Sequence, residues 1–282
     1  MLSVLLIGFG DVAERVAGLL LRTPGAFALR AVKRSPSAFA GVKVHTLDLG
    51  DYRSLKCLPK HSDVIVHFAP PSVHVDDDCP MTRHVLARCQ TSLGIYVSTT
   101  GVYGDRGGQW LSERSRLQPE SARAKRRVAA ERLVRAAGWM VLRVPGIYAA
   151  NRLPHARLAQ GTPVVLSSED SYSNHIHADD LARLIVHLMR ARHRKPARVI
   201  NVVDDQPMLM GDYFTLMAEH LAYAAPERWP RAQVQARVSP MLYSFMRESR
   251  RIHNQRLREE LRFRLRYPSV ADFLKAYAVT KT

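Results

Sequence analysis

The stretch Leu5-Leu6-Ile7-Gly8-Phe9-Gly10-Asp11-Val12-Ala13 joins an apolar run to two closely spaced glycines and then to a helical pattern. Residues 3–7 have the length and composition of a strand that is buried on both faces, and apolar residues then recur at helical spacing. The stretch therefore predicts a strand that turns directly into a helix. Gly8 permits the sharp bend, Gly10 lets a ligand approach the backbone, and Ala13 lets the helix pack close to the strand.

This G-x-G-x-x-A turn predicts a dinucleotide-binding corner. The free amides and the positive end of the helix favour a pyrophosphate, so we predict cofactor contacts from Gly8, Phe9, Gly10, Asp11 and Val12. An ordinary strand-to-helix turn is the competing interpretation, because three small residues are a weak signal by themselves. Asp11 either caps the helix or places a negative charge near the phosphates.

The composition indicates an α/β protein without membrane segments or a disulfide framework. A chain of 282 residues can bury a full core and carry a smaller lobe. No apolar run approaches the roughly 18 residues that cross a bilayer. Cys57, Cys79 and Cys89 form no C-x-x-C pair, which suits a reducing compartment. We expect a soluble, cytoplasmic protein with no membrane partner.

The formal net charge of +17, from 34 arginines and 8 lysines, raises the question of nucleic acid binding. The basic residues are spread over the chain, with enrichment at residues 123–135, 190–198 and 247–266. No aromatic residues are interleaved with them as a stacking platform for single strands would require. We therefore interpret them as solvated helix faces, do not expect nucleic acid, and expect a small anionic substrate.

A basic tripeptide follows the second predicted strand, at residues 27–32. Lys33-Arg34-Ser35 lies about 20 residues beyond the glycine turn, where a fold that prefers NAD places an acid on the ribose 2′-hydroxyl. Because no acid is present, Lys33, Arg34 and Ser35 predict contacts to a 2′-phosphate. NADP is thus the preferred cofactor and NAD the alternative, unless these side chains are only solvent-exposed cations.

Further strands are predicted at residues 42–47, 62–68 and 94–98, and short loops follow their ends. Two of these loops are predicted to flank the cofactor, through Asp48, Leu49, Ala69 and Pro70. The run His74-Val75-Asp76-Asp77-Asp78 contains four potential metal ligands. A helix that begins just after it explains the acids as capping residues, so no metal is predicted there.

The segment after the fifth strand, Thr99-Thr100-Gly101-Val102-Tyr103-Gly104, resembles the S-S/T-x-x-V-Y-G segment of extended short-chain dehydrogenases/reductases, the nucleotide-sugar epimerase and dehydratase group. Residues 142–148 are similar to that family's L-R-x-x-x-x-Y-G segment, and residues 174–181 to its N-x-I-H-V-x-D-L segment. Residues 199–202 and 251–269 resemble its late Y-N-V strand and its terminal segment. The likeness covers nearly the whole chain in the right order.

The resemblance implies a doubly wound parallel sheet of the NAD(P)-binding Rossmann type with a small, mainly helical C-terminal substrate lobe. We predict a dinucleotide-binding domain at residues 1–150, to which residues 171–205 return. The lobe is predicted at residues 151–170 and 206–282. The family's flanking helices often form dimers, so a homodimer is expected.

The resemblance also implies a Tyr-x-x-x-Lys pair on the helix after the fifth strand. There the tyrosine is the acid/base, and the lysine lowers its pKa and holds the nicotinamide ribose. Lys125 is the candidate lysine, but Ser121 precedes it by four residues, and a serine hydroxyl has too high a pKa for this role. Thr99 takes the position of the hydroxyl that polarises the substrate carbonyl. Tyr103 is the predicted substitute acid/base.

Several other residues are candidates for the site. Pro145 is predicted to flank the cofactor, and Tyr148 is a second candidate acid/base. Lys125 has the alternative of being one more cation on a solvated face. His175 and His177, with the two acids that follow, have metal-pair spacing, but capping of the next helix explains them more simply. Lobe residues that could meet a substrate are Arg152, His155, Arg157, Arg247 and Asn254.

The predicted function is hydride transfer between a nicotinamide and a carbonyl or alcohol carbon, in an oxidoreductase or epimerase whose substrate resembles a nucleotide sugar. The alternative is an NADP(H)-binding sensor or scaffold without turnover. Ser121 in the place of the family's tyrosine keeps that alternative open.

Overall fold

A computed structural model of the chain describes residues 1–72, 79–191 and 199–279. Its centre is a sheet whose strands follow the order β3-β2-β1-β4-β5-β6-β7, with every neighbouring pair parallel. The predicted doubly wound parallel sheet is therefore confirmed. The strands are β1 (Leu2–Ile7), β2 (Phe27–Lys33), β3 (Val42–Thr46), β4 (His61–His67), β5 (Gln90–Thr99), β6 (Met140–Val144) and β7 (Val199–Asn201).

Helices cover both faces of this sheet and build the rest of the molecule. The helices of the described ranges are α1 (Asp11–Leu21), α2 (Pro80–Arg88), α3 (Ala122–Ala136), α4 (His155–Ala159), α5 (Ala178–Arg190), α6 (Met210–His220), α7 (Arg231–Arg237), α8 (Pro240–Met246) and α9 (Val270–Val279). Shorter turns of 3₁₀-helix lie at Tyr52–Cys57, Thr100–Tyr103 and Ala150–Arg152, and a π-helical turn lies at Arg256–Glu260. None of the helices described is both long and apolar enough to cross a membrane.

The side chains of β1 explain why helices lie on both faces. Val4 and Leu6 pack into one buried cluster with α1 and α5, whereas Leu5 and Ile7 pack into a second cluster with α2 and α3. Side chains alternate across a strand, so a continuous apolar run supplies both faces at once. The apolar composition that predicted a doubly buried strand thus determines the layered architecture.

The C-terminal part is mainly helical and has a core of its own. Tyr148, Leu158, Phe214, Met217 and Phe273 belong to that core, to which α6 and α9 contribute. Short two-residue and three-residue ladders connect it, pairing Gly146–Tyr148 with His175–His177, Val164–Val165 with Arg228–Trp229, Tyr172–Ser173 with Met208–Leu209, and Trp110–Leu111 with Arg251–Ile252.

The chain leaves the sheet after β6 and returns to it at β7, which pairs with β6. The proposed boundaries, with a lobe at residues 151–170 and 206–282, stay a prediction.

Candidate functional site

The glycine corner, residues 8–13, is fixed by the two loops around it. Gly8 has a φ of +89°, and a Cβ atom built there would lie 2.6 Å from the amide nitrogen of Ala69. The amides of Gly8 and Phe9 both donate to the carbonyl of Val32, at 3.0 and 2.9 Å. Glycine is therefore required at position 8 for both its backbone angle and its space.

Gly10 is open where Gly8 is enclosed. A Cβ atom on Gly10 would meet no atom of the described protein within 4 Å, and its φ of −115° is allowed for any residue. Gly10 is the N-cap of α1 and provides no side chain to bind the amides of the first turn. Those amides have no intrahelical partner, and the helix dipole places its positive end there. The corner is thus shaped for an anion that approaches the bare backbone.

A cavity of about 350 Å³ opens from this corner. It lies where β1, β4, β5 and β6 end, around the β1–β4 neighbours at which the strand order reverses. Ligands of such sheets bind at this switch point. The lining residues are Gly8, Gly10, Asp11, Val12, Ala13, Phe68, Val97, Ser98, Thr99, Arg127, Val144, Pro145, Ile147, Arg152 and Leu181. Apolar walls with a few polar groups are typical of a small-molecule site.

The carboxylate of Asp11 is compensated by its neighbours. It accepts hydrogen bonds from Arg15 Nε at 3.2 Å, Asn151 Nδ2 at 3.0 Å and Arg152 Nε at 2.9 Å. Burial alone would raise the pKa of this carboxyl, but the bond from Asn151 and the two guanidinium groups bring it below its ordinary value of 3.8. Asp11 does not cap α1, and the neighbouring guanidinium groups compensate its negative charge at the glycine corner.

Thr99 lines the cavity at the end of β5. Its Oγ1 accepts a hydrogen bond from the amide of Gly101 at 3.1 Å. A hydroxyl that accepts in this way still has its own proton to donate. Thr99 can therefore donate to an oxygen of a bound substrate. The preceding hydroxyl, on Ser98, is already used, since it donates to the buried Glu131 at 2.7 Å.

Arg127, and not Lys125, is the cation that α3 brings to the cavity. Arg127 Nη1 donates to the hydroxyl of Tyr96 and to the carbonyl of Val97, each at 2.9 Å. Lys125 is exposed and does not line the cavity. The reason is helical register, because α3 buries Ala124, Val128 and Glu131 toward the sheet and position 127 adjoins that face. Position 125 points away from it.

Ser121 has a structural role that explains the serine. It is the N-cap of α3, and its Oγ accepts a hydrogen bond from the amide of Ala124 at 3.2 Å. If Arg127 stands at the lysine position of the family's pair, the tyrosine position is Arg123. The guanidinium of Arg123 lies 4.2 Å from the ring centroid of Phe245 on α8. The helix therefore offers two arginines where the family has an acid/base and its helper.

The structure does not bring Tyr103 to the cavity. Its side chain is fully buried, and its hydroxyl donates to Asn201 Oδ1 at 2.7 Å while accepting from Arg143 Nη1 at 3.0 Å. Burial raises the pKa of this phenol, against the lowering effect of Arg143. Tyr148 is also buried, in the core of the C-terminal part, and burial raises its pKa as well. No tyrosine of the described residues lines the cavity.

Other predicted cofactor residues lie near the corner without lining the cavity. Phe9 is buried and its ring meets Phe39 edge-on, with ring centroids 5.5 Å apart. Ala69 packs against Gly8, and Leu49 is buried in the core. Asp48 and Pro70 are exposed, and Asp48 accepts a hydrogen bond from the amide of Gly50. Of the predicted cofactor set, Gly8, Gly10, Asp11, Val12 and Pro145 line the cavity.

The basic tripeptide begins with Lys33, the last residue of β2, and continues at the same edge of the sheet. Because the carbonyl of Val32 accepts from Gly8 and Phe9, Lys33 and Arg34 come next to the glycine corner. Lys33 Nζ lies 3.6 Å from Glu14 Oε1 on α1. Arg34 is exposed and has no ion pair within the described ranges, and Ser35 is exposed beside it.

Among the lobe candidates, Arg152 alone lines the cavity. The others are engaged elsewhere: Arg157 lies over the ring of Phe214, Arg247 pairs with Glu120, His155 contacts Tyr223, and Asn254 binds the carbonyl of Val203. Sequence reasoning missed Arg127, and the signal that could have found it was the buried face of α3. It also missed Phe68 and Leu181, which carry no chemical motif.

The histidines of the family-like segment are structural. His177 caps α5, and its Nδ1 accepts from the amide of Asp179 at 3.1 Å. Asp180 is fully buried and accepts from the amides of Arg266 and Tyr267. The expected capping acid is thus replaced by a histidine. The described ranges contain no cluster of three potential metal ligands, and His74 to Asp78 lie outside them.

The fold is similar to those of several solved proteins. A solved protein of unknown function from Silicibacter pomeroyi is 27% identical, with a TM-score of 0.82 and 99% of each chain covered. UDP-N-acetylglucosamine 4-epimerase from Bacillus cereus is 14% identical, with a TM-score of 0.73 over 100% of both chains. dTDP-glucose 4,6-dehydratase from Bacillus anthracis, solved with NAD, is 15% identical, with a TM-score of 0.75 over 100% of this chain and 98% of its own.

A comparison with curated proteins gave no match. The model of the NAD dependent epimerase/dehydratase family matches residues 10–202. This match begins in the glycine corner and ends just after β7. Since it spans well over half of the chain, the protein belongs to the NAD-dependent epimerase/dehydratase family.

Proposed function

We propose that the cavity holds NAD(H) or NADP(H), with the pyrophosphate on the glycine corner. The observation that carries this proposal is the open backbone of Gly10, where a Cβ atom would meet no atom of the described residues within 4 Å. A second support is electrostatic, because α1 points its positive end at the cavity and Asp11 is compensated by Arg15 and Arg152. The residues present therefore fit a dinucleotide.

The chemistry proposed is hydride exchange with a carbonyl or alcohol carbon, which a bound nicotinamide would supply. Thr99 donates its hydroxyl proton to the substrate oxygen in a hydrogen bond, and so favours negative charge on it. Arg127 and Arg152 give the cavity a net positive wall once Asp11 is counted. This wall suits an anionic substrate, and we propose one similar to a nucleotide sugar, as in the UDP-N-acetylglucosamine 4-epimerase that shares the fold.

A second function is favoured by one specific observation. Arginines occupy the two positions of α3 that correspond to the family's tyrosine and lysine, and an arginine does not exchange protons near neutral pH. The hydroxyl of Thr99 can polarise a bond but does not ionise there. A protein that binds the dinucleotide as a sensor or scaffold, without turnover, is therefore the alternative.

Arg34 supports NADP over NAD. Its exposed guanidinium follows β2 next to the corner and has no ion pair in the described ranges, whereas Lys33 is held by Glu14. A free planar guanidinium fits a 2′-phosphate. Parallel titration with NADPH, NADP, NADH and NAD should give a preference for the phosphorylated pair that collapses in Arg34→Ala. Arg30→Ala, an exposed change four residues earlier on β2, serves as the control.

The substitution Gly10→Ala tests the dinucleotide site directly. The added methyl meets no atom of the described residues, and replacing the glycine N-cap by alanine costs little, so the melting temperature should stay within about 3 °C of the parent. It would meet a bound pyrophosphate, so the dinucleotide affinity should fall at least about tenfold, which corresponds to about 1.4 kcal/mol. Unchanged affinity in a folded Gly10→Ala protein would place the phosphates elsewhere.

The substitution Thr99→Val separates the two functions. If the protein is an enzyme, turnover on a panel of carbonyl compounds and nucleotide sugars should fall by about 10²- to 10³-fold, with dinucleotide affinity nearly unchanged. Thr99→Ser keeps the hydroxyl and should retain turnover. Dinucleotide binding without turnover across the panel would support the sensor. The homodimer remains a prediction, and sedimentation of the purified chain tests it.

A further inference from the structure

We propose that a groove between α1 and α5, separate from the dinucleotide cavity, binds a small anion that carries several phosphate groups. The groove consists of two adjoining cavities of about 370 and 460 Å³, which share Leu19, Arg22 and Arg183. None of its lining residues lines the dinucleotide cavity. We call it the arginine groove, with the cationic residues Arg15, Arg22, Arg183, Arg190 and Arg266 in its walls.

The charges in the groove are only partly compensated. Among the described residues that line the groove, Asp179 is the one acid, and it is bound by Arg15. Arg183 pairs with Asp180. Arg22 and Arg190 have neither an ion pair nor a side-chain hydrogen bond in the described ranges, and residues 192–198 contain no aspartate or glutamate. Like charges that face one cavity repel each other, and a multivalent anion removes that repulsion.

Helix dipoles explain part of this arrangement but not all of it. Arg22 and Arg190 follow or end α1 and α5, where cations are favourable. That effect acts on each helix alone. It does not account for Arg183, in the middle of α5, or for Arg266, which comes from a different segment of the chain. Arginines from three segments therefore converge on one concave surface.

The size of the groove favours a small phosphate compound over a nucleic acid. Arg15 lies in α1 and Arg22 follows its last residue, seven positions later, which at 1.5 Å per residue is roughly 10 Å. A short chain of linked phosphates fits this length, whereas single-stranded nucleic acid sites track about 4–16 nucleotides. The apolar side chains Leu19, Val186 and Phe263 close the wall, with the guanidinium of Arg183 5.3 Å from the ring centroid of Phe263. The groove is thus a bounded site.

The test measures inorganic tripolyphosphate binding to the full chain by calorimetry at constant ionic strength. The parent should show saturable binding to one site. The double variant Arg22→Gln/Arg190→Gln should bind at least tenfold more weakly, because the uncompensated charges are removed. Arg132→Gln/Arg135→Gln removes the same charge from exposed positions of α3 and should bind like the parent. Equal weakening in both variants would show a general charge effect and overturn the proposal.

Two further arms distinguish other binding sites. With saturating NADPH present, saturable tripolyphosphate binding should remain, since the groove and the dinucleotide cavity share no lining residue, but its affinity should fall because Arg15 contacts an acid at each site. Displacement by NADPH together with normal binding in Arg22→Gln/Arg190→Gln would assign the anion to the glycine corner and overturn the proposal. A single-stranded oligonucleotide that binds the groove more than tenfold tighter than tripolyphosphate would also overturn it.

Discussion

The two ends of the dinucleotide cavity differ in how closely they follow the family pattern. At the glycine corner, Gly8 is forced by its backbone angle and by Ala69, and Gly10 is left open. At the opposite end, Thr99 keeps the family's hydroxyl, but α3 presents Arg127 and no tyrosine lines the wall in the described ranges. The corner is built from backbone, and the other end from side chains. The backbone features of the family's glycine turn are therefore present in this chain, whereas the tyrosine of the family's proton chemistry is not found in the described cavity wall.

The largest effect is expected from Gly8→Ala, which breaks the corner. Its Cβ would lie 2.6 Å from the Ala69 amide nitrogen at a φ of +89°. The strain and the overlap should lower the free energy of unfolding by roughly 2–4 kcal/mol and abolish dinucleotide binding. Gly25→Ala is the control, since its φ of +73° is equally positive but no atom lies within 4 Å.

The control Gly25→Ala should lower the free energy of unfolding by about 1 kcal/mol and leave dinucleotide binding unchanged. Chemical denaturation followed by fluorescence measures both variants. Equal destabilisation by the two changes would show that backbone angle alone, and not the contact with Ala69, fixes the corner.

The second-largest effect is expected at His67, the last residue of β4. Burial, aided by the charge of Arg127, lowers its pKa from 6.5 to about 3, so the folded protein holds it neutral. Between these values the unfolded chain binds one more proton, and stability therefore falls as the pH falls from 6.5 toward 3. Above pH 6.5 this histidine makes no difference to the pH dependence.

His67→Leu should reduce the slope of unfolding free energy against pH by about 1.4 kcal/mol per pH unit between pH 4 and 6. Urea denaturation at several pH values measures it. His175 and His177, whose pKa values burial lowers to about 4, remain in both proteins and cancel in the comparison. His61→Leu, an exposed change at the start of β4, should keep the parent slope. Parallel curves for His67→Leu and the parent would contradict burial of a neutral His67.

A smaller effect is expected from Arg127→Gln, which tests the contribution of α3 to the Thr99 end of the cavity. The amide keeps a donor for the Tyr96 hydroxyl and the Val97 carbonyl, but the positive charge on the cavity wall is lost. Dinucleotide affinity should fall about tenfold, or about 1.4 kcal/mol. Lys125→Gln removes a charge two residues away and should leave the affinity unchanged. Calorimetric titration compares the two, and a larger loss in Lys125→Gln would reverse the assignment made from the register of α3.

The smallest effect on activity is expected from Tyr103→Phe. The change leaves Asn201 Oδ1 and Arg143 Nη1 without one partner in the core, which should cost about 1–2 kcal/mol of stability. Any turnover should stay within about twofold of the parent, because the hydroxyl does not face the cavity. Thermal melts and a turnover assay measure these quantities. A large loss of turnover with unchanged stability would restore Tyr103 as the acid/base.

The sheet could be predicted well because its strands carry local signals. Buried apolar runs bounded by glycine, proline or charged residues located the strands within a few residues, as for the run at 27–32 that became β2 (Phe27–Lys33). The resemblance predicted that they form one doubly wound parallel sheet. The glycine corner was predictable for the same reason, since the spacing of small residues describes a backbone shape directly.

The side-chain partners could not be predicted because they depend on tertiary register. Lys125 and Arg127 are two residues apart, and only the packing of α3 decides which one reaches the cavity. The hydrogen-bond partners of Asp11 could not be predicted for a related reason, because Asn151 and Arg152, which donate to its carboxylate, are distant in sequence. The motif spacing aligned Ser121 with the family's tyrosine, whereas this residue lies just before α3 and caps that helix.

Arg15 couples the glycine corner to the arginine groove. It donates to Asp11 at the glycine corner and to Asp179 in the wall of the arginine groove. An anion that drew this guanidinium toward the groove would leave Asp11 with less compensation, so a pyrophosphate would meet more negative charge. Thermodynamic linkage makes the penalty mutual, and a filled corner would weaken the groove by the same factor. One shared cation thus makes the two sites antagonists.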